Sequence, residues 1–217
     1  MSRLFKEYTI WDAVTPQAVT SSTDATPIVV TKNGHGYSTG DKVIINGHTT
    51  NVAANGIFKI TVLTANTFSL QNPYTNADVA GSGAGAGAAG IVAIAPAIVT
   101  TKDWRNMVIS VETSGSANFT AKIAGSLGKL EADSTGTSVN IPNFGGTQSK
   151  TNPYSFIQIF NLDTEAAIDG ATGVTTAGTD LHNSYEVNFN VLKYVTIVPT
   201  AWSAGTITIK AVVSDNQ

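Results

Sequence analysis

The stretch MVISVETSGSANFTAKIAG, residues 107–125, decides the fold class because its apolar residues recur at every second position. Met107, Ile109 and Val111 follow this period before the Ser114-Gly115 pair, and Phe119 belongs to a second such run after it. A period of two places alternate side chains on one face of a β-strand, whereas an amphipathic helix needs a period near 3.6. The stretch therefore predicts two β-strands that flank a turn.

The same alternation recurs along the chain, and helical periodicity is nearly absent. The clearest predicted strands are KVIIN (42–46), GIFKITVL (56–63), MVISVET (107–113), ANFTAKIAG (117–125), YSFIQIF (154–160), YEVNFNVLKYVTIV (185–198) and TITIKAVV (206–213). Turn signals lie at Asn33-Gly34, Asn46-Gly47, Asn55-Gly56, Ser114-Gly115 and Ala204-Gly205. Short strands at this spacing are typical of sandwiches and barrels. We predict an all-β fold: an antiparallel, jelly-roll-like β-sandwich with a small inserted β-barrel or sandwich module.

The pattern also predicts that one domain is inserted into another. Residues 24–93 form a run of short strands and tight turns that ends in the low-complexity stretch GSGAGAGAAG (81–90), which we interpret as a loop. Residues 1–23 are interpreted as an N-terminal arm and the first strand of the main sandwich, and residues 94–217 as its remainder. Such an insertion is tolerated because closing a longer loop adds little free energy.

Composition excludes several classes of protein. Hydrophobic residues make up 42% of the 217 residues, which is too apolar for a disordered chain. Charged residues make up only 12%, a composition common where proteins pack against other proteins. The formal net charge is −3 and no long basic run is present, so the electrostatic pattern of a nucleic-acid binder is missing.

The sequence favours neither a membrane protein nor a disulfide-linked one. It contains no cysteine, which excludes a disulfide framework and a zinc–thiolate site. No apolar run approaches the roughly 20 residues that cross a bilayer. The first residues, MSRLFKEYTIWDAVTPQ, carry charges where a signal peptide is apolar. We expect assembly in the host cytoplasm, with no nucleic acid and no membrane as partners.

One segment matches a nucleotide-binding fingerprint. Gly85, Gly87 and Gly90 fit the pattern G-x-G-x-x-G, whose mechanism needs a preceding strand and a following helix that faces the pyrophosphate. The residues that follow, IVAIAPAIV, have strand composition and contain a proline. The match arises from a Gly- and Ala-rich composition, so we predict no cofactor.

The residues that could carry catalysis form no known pattern. His35, His48 and His182 do not match a metal-ligand spacing, although Asp41 lies near the first two, and we expect no metal. Scattered acids could support glycoside hydrolysis only if two converged; they are Asp103, Glu112, Glu131, Asp133, Asp163, Glu165, Asp169, Asp180 and Glu186. No G-x-S-x-G elbow is present. We predict no catalytic residues and no enzymatic activity.

A resemblance adds context to the inserted module. The stretch TPIVVTKNGHGYSTGDKVIINGHTTNVAANGIFKITVLTANTFSL (26–70) resembles a small β module recurrent in phage tail, baseplate and virion proteins. That module is often labelled by similarity to a half-domain of ubiquitin-activating enzymes, but this chain has no cysteine. The resemblance implies a spacer or decorative domain and no ubiquitin chemistry.

The remainder resembles the β-sandwich of small phage virion proteins. The similar segments are WRNMVISVETSGSANFTAKIAGSLG (104–128), NPYSFIQIFNLD (152–163) and YEVNFNVLKYVTIVPTAWSAGTITIKAVV (185–213). They are strand patterns and not catalytic signatures. The two resemblances imply a structural protein of a tailed-phage virion.

The first functional hypothesis is a decoration, cement or head-fibre protein that binds the major capsid protein. The predicted partner-binding residues lie in the N-terminal arm, where apolar and charged groups suit a neighbouring groove; they are Arg3, Leu4, Phe5, Tyr8 and Trp11. We also expect a homo-oligomer, with a trimer among its forms.

Two alternatives remain open at this point. The chain could instead belong to the neck, tail or baseplate and bind other virion proteins there. It could also be a receptor- or glycan-binding module, which would carry exposed aromatic residues around Tyr37, Tyr74 or Trp202.

Overall fold

The computed structural model describes residues 4–101, 104–126, 144, 154–189 and 192–215. The chain divides into two compact units. The first contains Met1–Thr15, Pro96–Lys129 and Tyr154–Gln217, and the second contains Pro16–Ala95. The first is a β-sandwich and the second is a β-barrel.

Two antiparallel sheets make up the sandwich. Its strands are β1 (Phe5–Val14), β8 (Val99–Thr100), β9 (Asn106–Ser114), β10 (Ser116–Ser126), β11 (Ser155–Phe156), β12 (Ile159–Asn161), β13 (Ala166–Ile168), β14 (Val174–Thr179), β15 (His182–Val187), β16 (Tyr194–Trp202) and β17 (Thr206–Ser214). The six-stranded sheet has the order β1-β17-β9-β15-β12-β13. The five-stranded sheet has the order β11-β10-β16-β8, and β14 also pairs with β10.

Four antiparallel pairs define a jelly roll. They are β1·β17, β8·β16, β9·β15 and β10·β14. Among these eight strands the first pairs with the last, the second with the seventh, the third with the sixth and the fourth with the fifth. Pairs β17·β9 and β10·β16 then complete the two sheets. This is jelly-roll topology, and the fold-class prediction is confirmed.

Two predicted turns carry the chain from one sheet to the other. Gly115 separates β9 from β10, and Gly205 lies just before β17; their φ angles are 73° and 79°. This left-handed region favours glycine. At Gly205 a Cβ atom would also lie 2.6 Å from the Ser114 carbonyl oxygen. Strands β9 and β10 lie in different sheets, and so do β16 and β17. The strands that flank each turn therefore do not pair as a hairpin.

The sandwich core consists of alternate side chains from both sheets. In β9 and β17 the inward-facing apolar residues are all at most 1% exposed: Met107, Ile109, Val111, Ile207, Ile209, Ala211 and Val213. Phe119 in β10 is fully buried. The period of two read from the sequence correctly identified this buried face.

Two predicted strands are each broken in the structure. Residues 154–160 form β11 in one sheet and β12 in the other, and the Ile157 N–H between them donates to the Ile123 carbonyl. Residues 185–198 form parts of β15 and β16, also in different sheets. The prediction of continuous strands was wrong here because side-chain alternation does not show where a chain leaves its sheet.

The barrel is closed by six antiparallel strands. They are β2 (Gln17–Ser22), β3 (Val29–Thr31), β4 (Lys42–Asn46), β5 (Gly56–Thr64), β6 (Thr67–Gln71) and β7 (Gly87–Ile94), in the spatial order β2-β3-β6-β5-β4-β7. A short 3-10 helix, Val52–Ala54, precedes β5. The pairing of β2 with β7 closes the barrel. Its core residues are Val19, Ile28, Val30, Val43, Ile45, Ala54, Phe58, Ile60, Phe68, Leu70 and Val92.

The barrel differs from the sequence interpretation at both ends. Strand β2 pairs with β3 and β7, so residues 17–22 belong to the barrel and not to the first sandwich strand. The end of the Gly/Ala-rich stretch is part of strand β7 and not a loop. A Cβ atom at Gly87 would lie 2.5 Å from Ser22 Oγ and 2.7 Å from His48 Nδ1. Glycine suits position 87 because strand β7 packs directly against Ser22 and His48 there.

Candidate protein-binding surface

A single row of outward-facing side chains crosses all six strands of the larger sandwich sheet. Its members are cross-strand partners in register, from β1 to β13: Glu7, Val212, Val108, Glu186, Phe160 and Ala167. We call this set the outer row. Each strand contributes one residue, and the flanking residues of β9 and β17 point into the core.

The outer row is rich in exposed apolar groups. Val108, Val212 and Phe160 are 37%, 40% and 38% exposed, and Phe5 beside the row is 67% exposed. Two grooves, of about 470 and 310 Å³, lie along this face and share Asn106 in their linings. Exposed apolar side chains grouped in this way, with Phe5, Val212 and Val108 along one groove and Phe160 beyond Glu186, are typical of protein-interaction sites.

The predicted N-terminal arm is an edge strand of the same sheet. Residues 5–14 form β1, which pairs with β17, and the Leu4 N–H donates to an Asp215 carboxylate oxygen at 2.9 Å. Leu4 and Phe5 are exposed and Tyr8 is half-buried. Arg3 lies outside the described residues. Residues 5–14 therefore do not extend freely, because their backbone hydrogen bonds are made within the sheet.

Trp11 is not available to a partner. It is 2% exposed and its ring centroid lies 6.0 Å from that of Phe119 in the sandwich core. As a large, mainly apolar side chain it gains more from burial in this core than from exposure. The prediction that Trp11 binds a partner is corrected, while that for Leu4, Phe5 and Tyr8 remains a prediction.

Two carboxylates of the outer row have no ion-pair partner. Within the part of the chain that the structure describes, the only ion pair joins His182 Nε2 to Glu112 Oε1 at 4.0 Å, elsewhere on this face. Glu7 and Glu186 are thus exposed and unpaired among the described residues. Arg105, just before β9, lines the groove of about 470 Å³ together with Glu186, and Lys210 is the register partner of Thr9. Among the described residues, neither cation forms an ion pair with Glu7 or Glu186.

A Ser–His–Glu cluster on this face lacks the geometry of a catalytic triad. Ser110 Oγ lies 2.9 Å from His182 Nε2, and Glu112 approaches the same nitrogen. In a triad the acid holds the nitrogen opposite to the one that contacts serine. The His182 and Glu112 side chains are 56% and 46% exposed, so water competes for both. The cluster is a polar part of the sheet surface.

The two histidines of the barrel, His35 and His48, are buried. His35 Nδ1 accepts the Tyr37 N–H at 3.0 Å, which leaves Nε2 to donate to the Thr64 carbonyl at 3.1 Å. Asp41 instead accepts the Ser38 N–H at 2.9 Å. His48 is 2% exposed, and burial lowers its pKa. Among the described residues no group of three His, Cys, Asp or Glu side chains could hold a metal ion.

The glycine fingerprint does not form a phosphate-binding turn. The N–H groups of Gly83 and Gly85 donate to the two carboxylate oxygens of Asp24 at 3.0 and 2.7 Å. The segment then continues as strand β7, whereas the phosphate-binding mechanism requires a helix N-terminus. The residues fit a carboxylate-capped turn and offer no pyrophosphate site.

The aromatic residues proposed for glycan binding do not form an exposed platform. Tyr37, Tyr74 and Trp202 are all half-buried. Tyr37 packs against His35 and Phe68, and its pKa is raised by burial and by the charge of Asp41. The Trp202 indole donates to the Gly205 carbonyl at 3.1 Å. Lys42 Nζ lies 5.2 Å from the centroid of the Tyr74 ring. Each of the three rings therefore has contacts within its own unit.

The sequence interpretation missed the outer row. None of its six residues was predicted to bind a partner, although Phe5, which lies beside the row, was. A signal was present in MVI (107–109) and AVV (211–213), where apolar residues occupy both faces of a strand instead of alternating. The alignment of these residues into one row could not be predicted from the sequence, because it depends on the register of strands that are far apart in sequence.

These features define an all-β protein, a jelly-roll sandwich with an inserted barrel, whose most prominent candidate site is the outer row with its exposed apolar and acidic side chains. In the described residues no helix has the length and hydrophobicity needed to span a membrane.

Comparisons with known proteins give no family. No family model matches the chain, and no curated protein matches it. The crystal structure of the SPBc2 prophage-derived protein YomS aligns with 55% of this chain and 80% of its own, at 12% identity and a TM-score of 0.35. That of the PBSX exported protein XepA aligns with 99% of this chain and 82% of its own, at 10% identity and a TM-score of 0.36. Both TM-scores are below 0.5, so neither likeness supports a conclusion about this chain.

Proposed function

We propose that the chain is a non-enzymatic structural protein of a tailed-phage particle, which binds a neighbouring particle protein through the outer row. The observation that carries this proposal is the apolar surface formed by Val212, Val108 and Phe160, with Phe5 beside it. Exposed apolar side chains at the centre of a polar face gain free energy when a partner excludes water from them.

The first candidate partner is the major capsid protein, with this chain as a decoration, cement or head-fibre protein. Binding across subunit junctions would stabilise the shell by mass action, because the bound state is favoured over released subunits. The low charged fraction of 12% supports an interface role. The phage context rests on the resemblance of residues 104–128, 152–163 and 185–213 to small virion proteins.

The second candidate location is the neck, tail or baseplate. It is supported by the resemblance of residues 26–70 to a module recurrent in tail and baseplate proteins. The outer row would have the same role there, with a different neighbour. The two locations differ in copy number, which makes them separable.

Localisation on purified particles tests the proposal. Heads and tails are separated, and the protein is quantified in each fraction by mass spectrometry, with immunogold labelling as a second readout. Hundreds of copies on heads would support decoration, while a smaller number on tails would support the second location. Absence from both fractions would contradict the virion proposal.

A further inference from the structure

The charges of the outer row have a defined spacing. Glu7 is in β1 and Glu186 is in β15, and β17 and β9 lie between them with Val212 and Val108. Neighbouring strands lie about 4.8 Å apart, so the backbones that carry the two glutamates are separated by about 14 Å. The row therefore presents an acidic–apolar–acidic pattern across the strands.

This pattern does not suit a second copy of the same row. The row itself contains two carboxylates and no cation, so opposing two rows with their Val212 and Val108 side chains in contact would bring carboxylates towards carboxylates. Burying unpaired charges of one sign is unfavourable. Arg105 lines the groove beside Glu186 without forming an ion pair with it, and a partner with a cation at each end of an apolar segment would compensate both carboxylates.

We propose that the outer row binds an extended segment of another protein, with basic residues at positions i and i+4 and an apolar residue at i+2. Side chains at i, i+2 and i+4 of an extended segment share one face, and four residues span about 14 Å. The two cations would meet Glu7 and Glu186. The apolar side chain would enter the groove of about 310 Å³ lined by Phe5, Val108 and Val212.

This inference deepens the proposed function and rests on it, since it states the chemistry of the particle protein that the row binds. It is tested on the isolated full chain, whereas location is tested on particles, so the two results are independent. Binding without particle localisation would leave the recognition chemistry standing and remove the phage role. Particle localisation without peptide binding would support the phage role and overturn the proposed recognition chemistry.

The test is a titration with synthetic peptides followed by amide NMR. The probe is the acetylated, amidated peptide Thr-Lys-Thr-Val-Thr-Lys-Thr, in which lysines at i and i+4 flank a valine. One control peptide has glutamates in place of the lysines. A second has lysines three positions apart, which places them on opposite faces of an extended chain. We expect saturable shifts around the outer row with the first peptide alone, weakened by added salt.

Matched variants test whether Glu7 and Glu186 are the carboxylates that bind the lysines of the peptide. The double substitution Glu7→Gln and Glu186→Gln removes two exposed charges, and we expect affinity to fall about three- to tenfold, as for two exposed ion pairs. Glu112→Gln removes a carboxylate from the same face outside the row and should leave affinity unchanged. Absence of saturable binding, equal binding of the control peptides, or equal effects of the variants would overturn the proposal. A concentration-dependent dimer abolished by Val108→Glu would also overturn it, since a second copy would then occupy the row.

Discussion

At the scale of single residues, His48 couples the stability of the barrel to pH. Its ring is buried against β7, where Gly87 and Gly90 leave room for it, and neither ring nitrogen has a hydrogen-bond partner. Burial disfavours the charged imidazolium, so the pKa in the folded state lies below the ordinary value of 6.5. The unfolded state then binds more protons below that pH, and the stability contribution of the neutral ring is lost as pH falls.

We expect His48 to make the barrel less stable on acidification. Between pH 6.5 and the lowered pKa of the folded state, the free energy of unfolding should fall by up to about 1.4 kcal/mol per pH unit. Urea titrations at neutral and acidic pH measure this slope. His48→Gln should flatten it, and the exposed-site control His182→Gln should not. An unchanged slope in His48→Gln would refute the assignment.

A second residue-scale prediction concerns the sandwich core. Ile209 is fully buried in β17, whereas Val212 in the same strand is 40% exposed. Ile209→Ala should destabilise the sandwich by about 2–5 kcal/mol, because a cavity remains where the side chain was. Val212→Ala should change stability by less than about 1 kcal/mol. Chemical denaturation of both variants makes the comparison, and similar losses would argue against the inward orientation of Ile209.

At the scale of secondary-structure elements, the close packing of β7 inside the barrel requires glycine at position 87. A methyl group at Gly87 would lie 2.5 Å from Ser22 Oγ and 2.7 Å from His48 Nδ1, both of which are held inside the barrel. Gly87→Ala should therefore destabilise the barrel by about 1–3 kcal/mol through overpacking. Ala88→Val, on the exposed side of the same strand, should change stability by less than about 0.5 kcal/mol. Thermal unfolding of the two variants tests this difference, and a neutral Gly87→Ala would show that β7 is not packed so closely.

Strands could be predicted from the sequence, but their assignment to sheets could not. The run 206–213 alternates up to Ala211 and lies within β17, and the run 56–63 lies within β5. Alternation states which residues face inward, yet it is the same in either sheet of a sandwich. The passage of the chain between sheets near Ile157 therefore left no signal, and neither did the register that aligns the outer row.

The strand β7 illustrates a different limit. Its Gly- and Ala-rich composition has low β-propensity, and propensity alone favours a loop. Tertiary contacts override this preference because a side chain at position 87 would collide with Ser22 and His48. Such packing is visible only once β2, β4 and β7 are brought together in the closed barrel.

At the scale of the whole molecule, the ends of the barrel explain how it is inserted. Its first and last strands are neighbours, with Gln17 paired to Val92. The chain therefore enters and leaves the barrel at nearby points. The barrel interrupts the connection between β1 and β8 of the jelly roll. After the barrel the chain returns beside β1, where the Ala97 N–H donates to the Ile10 carbonyl at 3.1 Å.

We expect the sandwich to fold without the barrel. Replacing residues 16–95 with a short flexible linker should preserve a cooperative unfolding transition, because closing a shorter loop costs no additional free energy. Circular dichroism and chemical denaturation of this deletion variant provide the measurement. Loss of cooperative unfolding would show that the sandwich depends on the barrel for its stability.

The central claim, attachment to a particle through the outer row, is tested most directly by incorporation of variants into phage particles that lack the wild-type copy. Val108→Glu places a charge in the middle of the row, while Leu63→Glu places the same charge at an exposed apolar site, 52% accessible, on the barrel. We predict that Val108→Glu folds normally but falls severalfold in amount on purified particles, and that Leu63→Glu matches the wild type. Equal incorporation of the two variants would contradict attachment through the outer row.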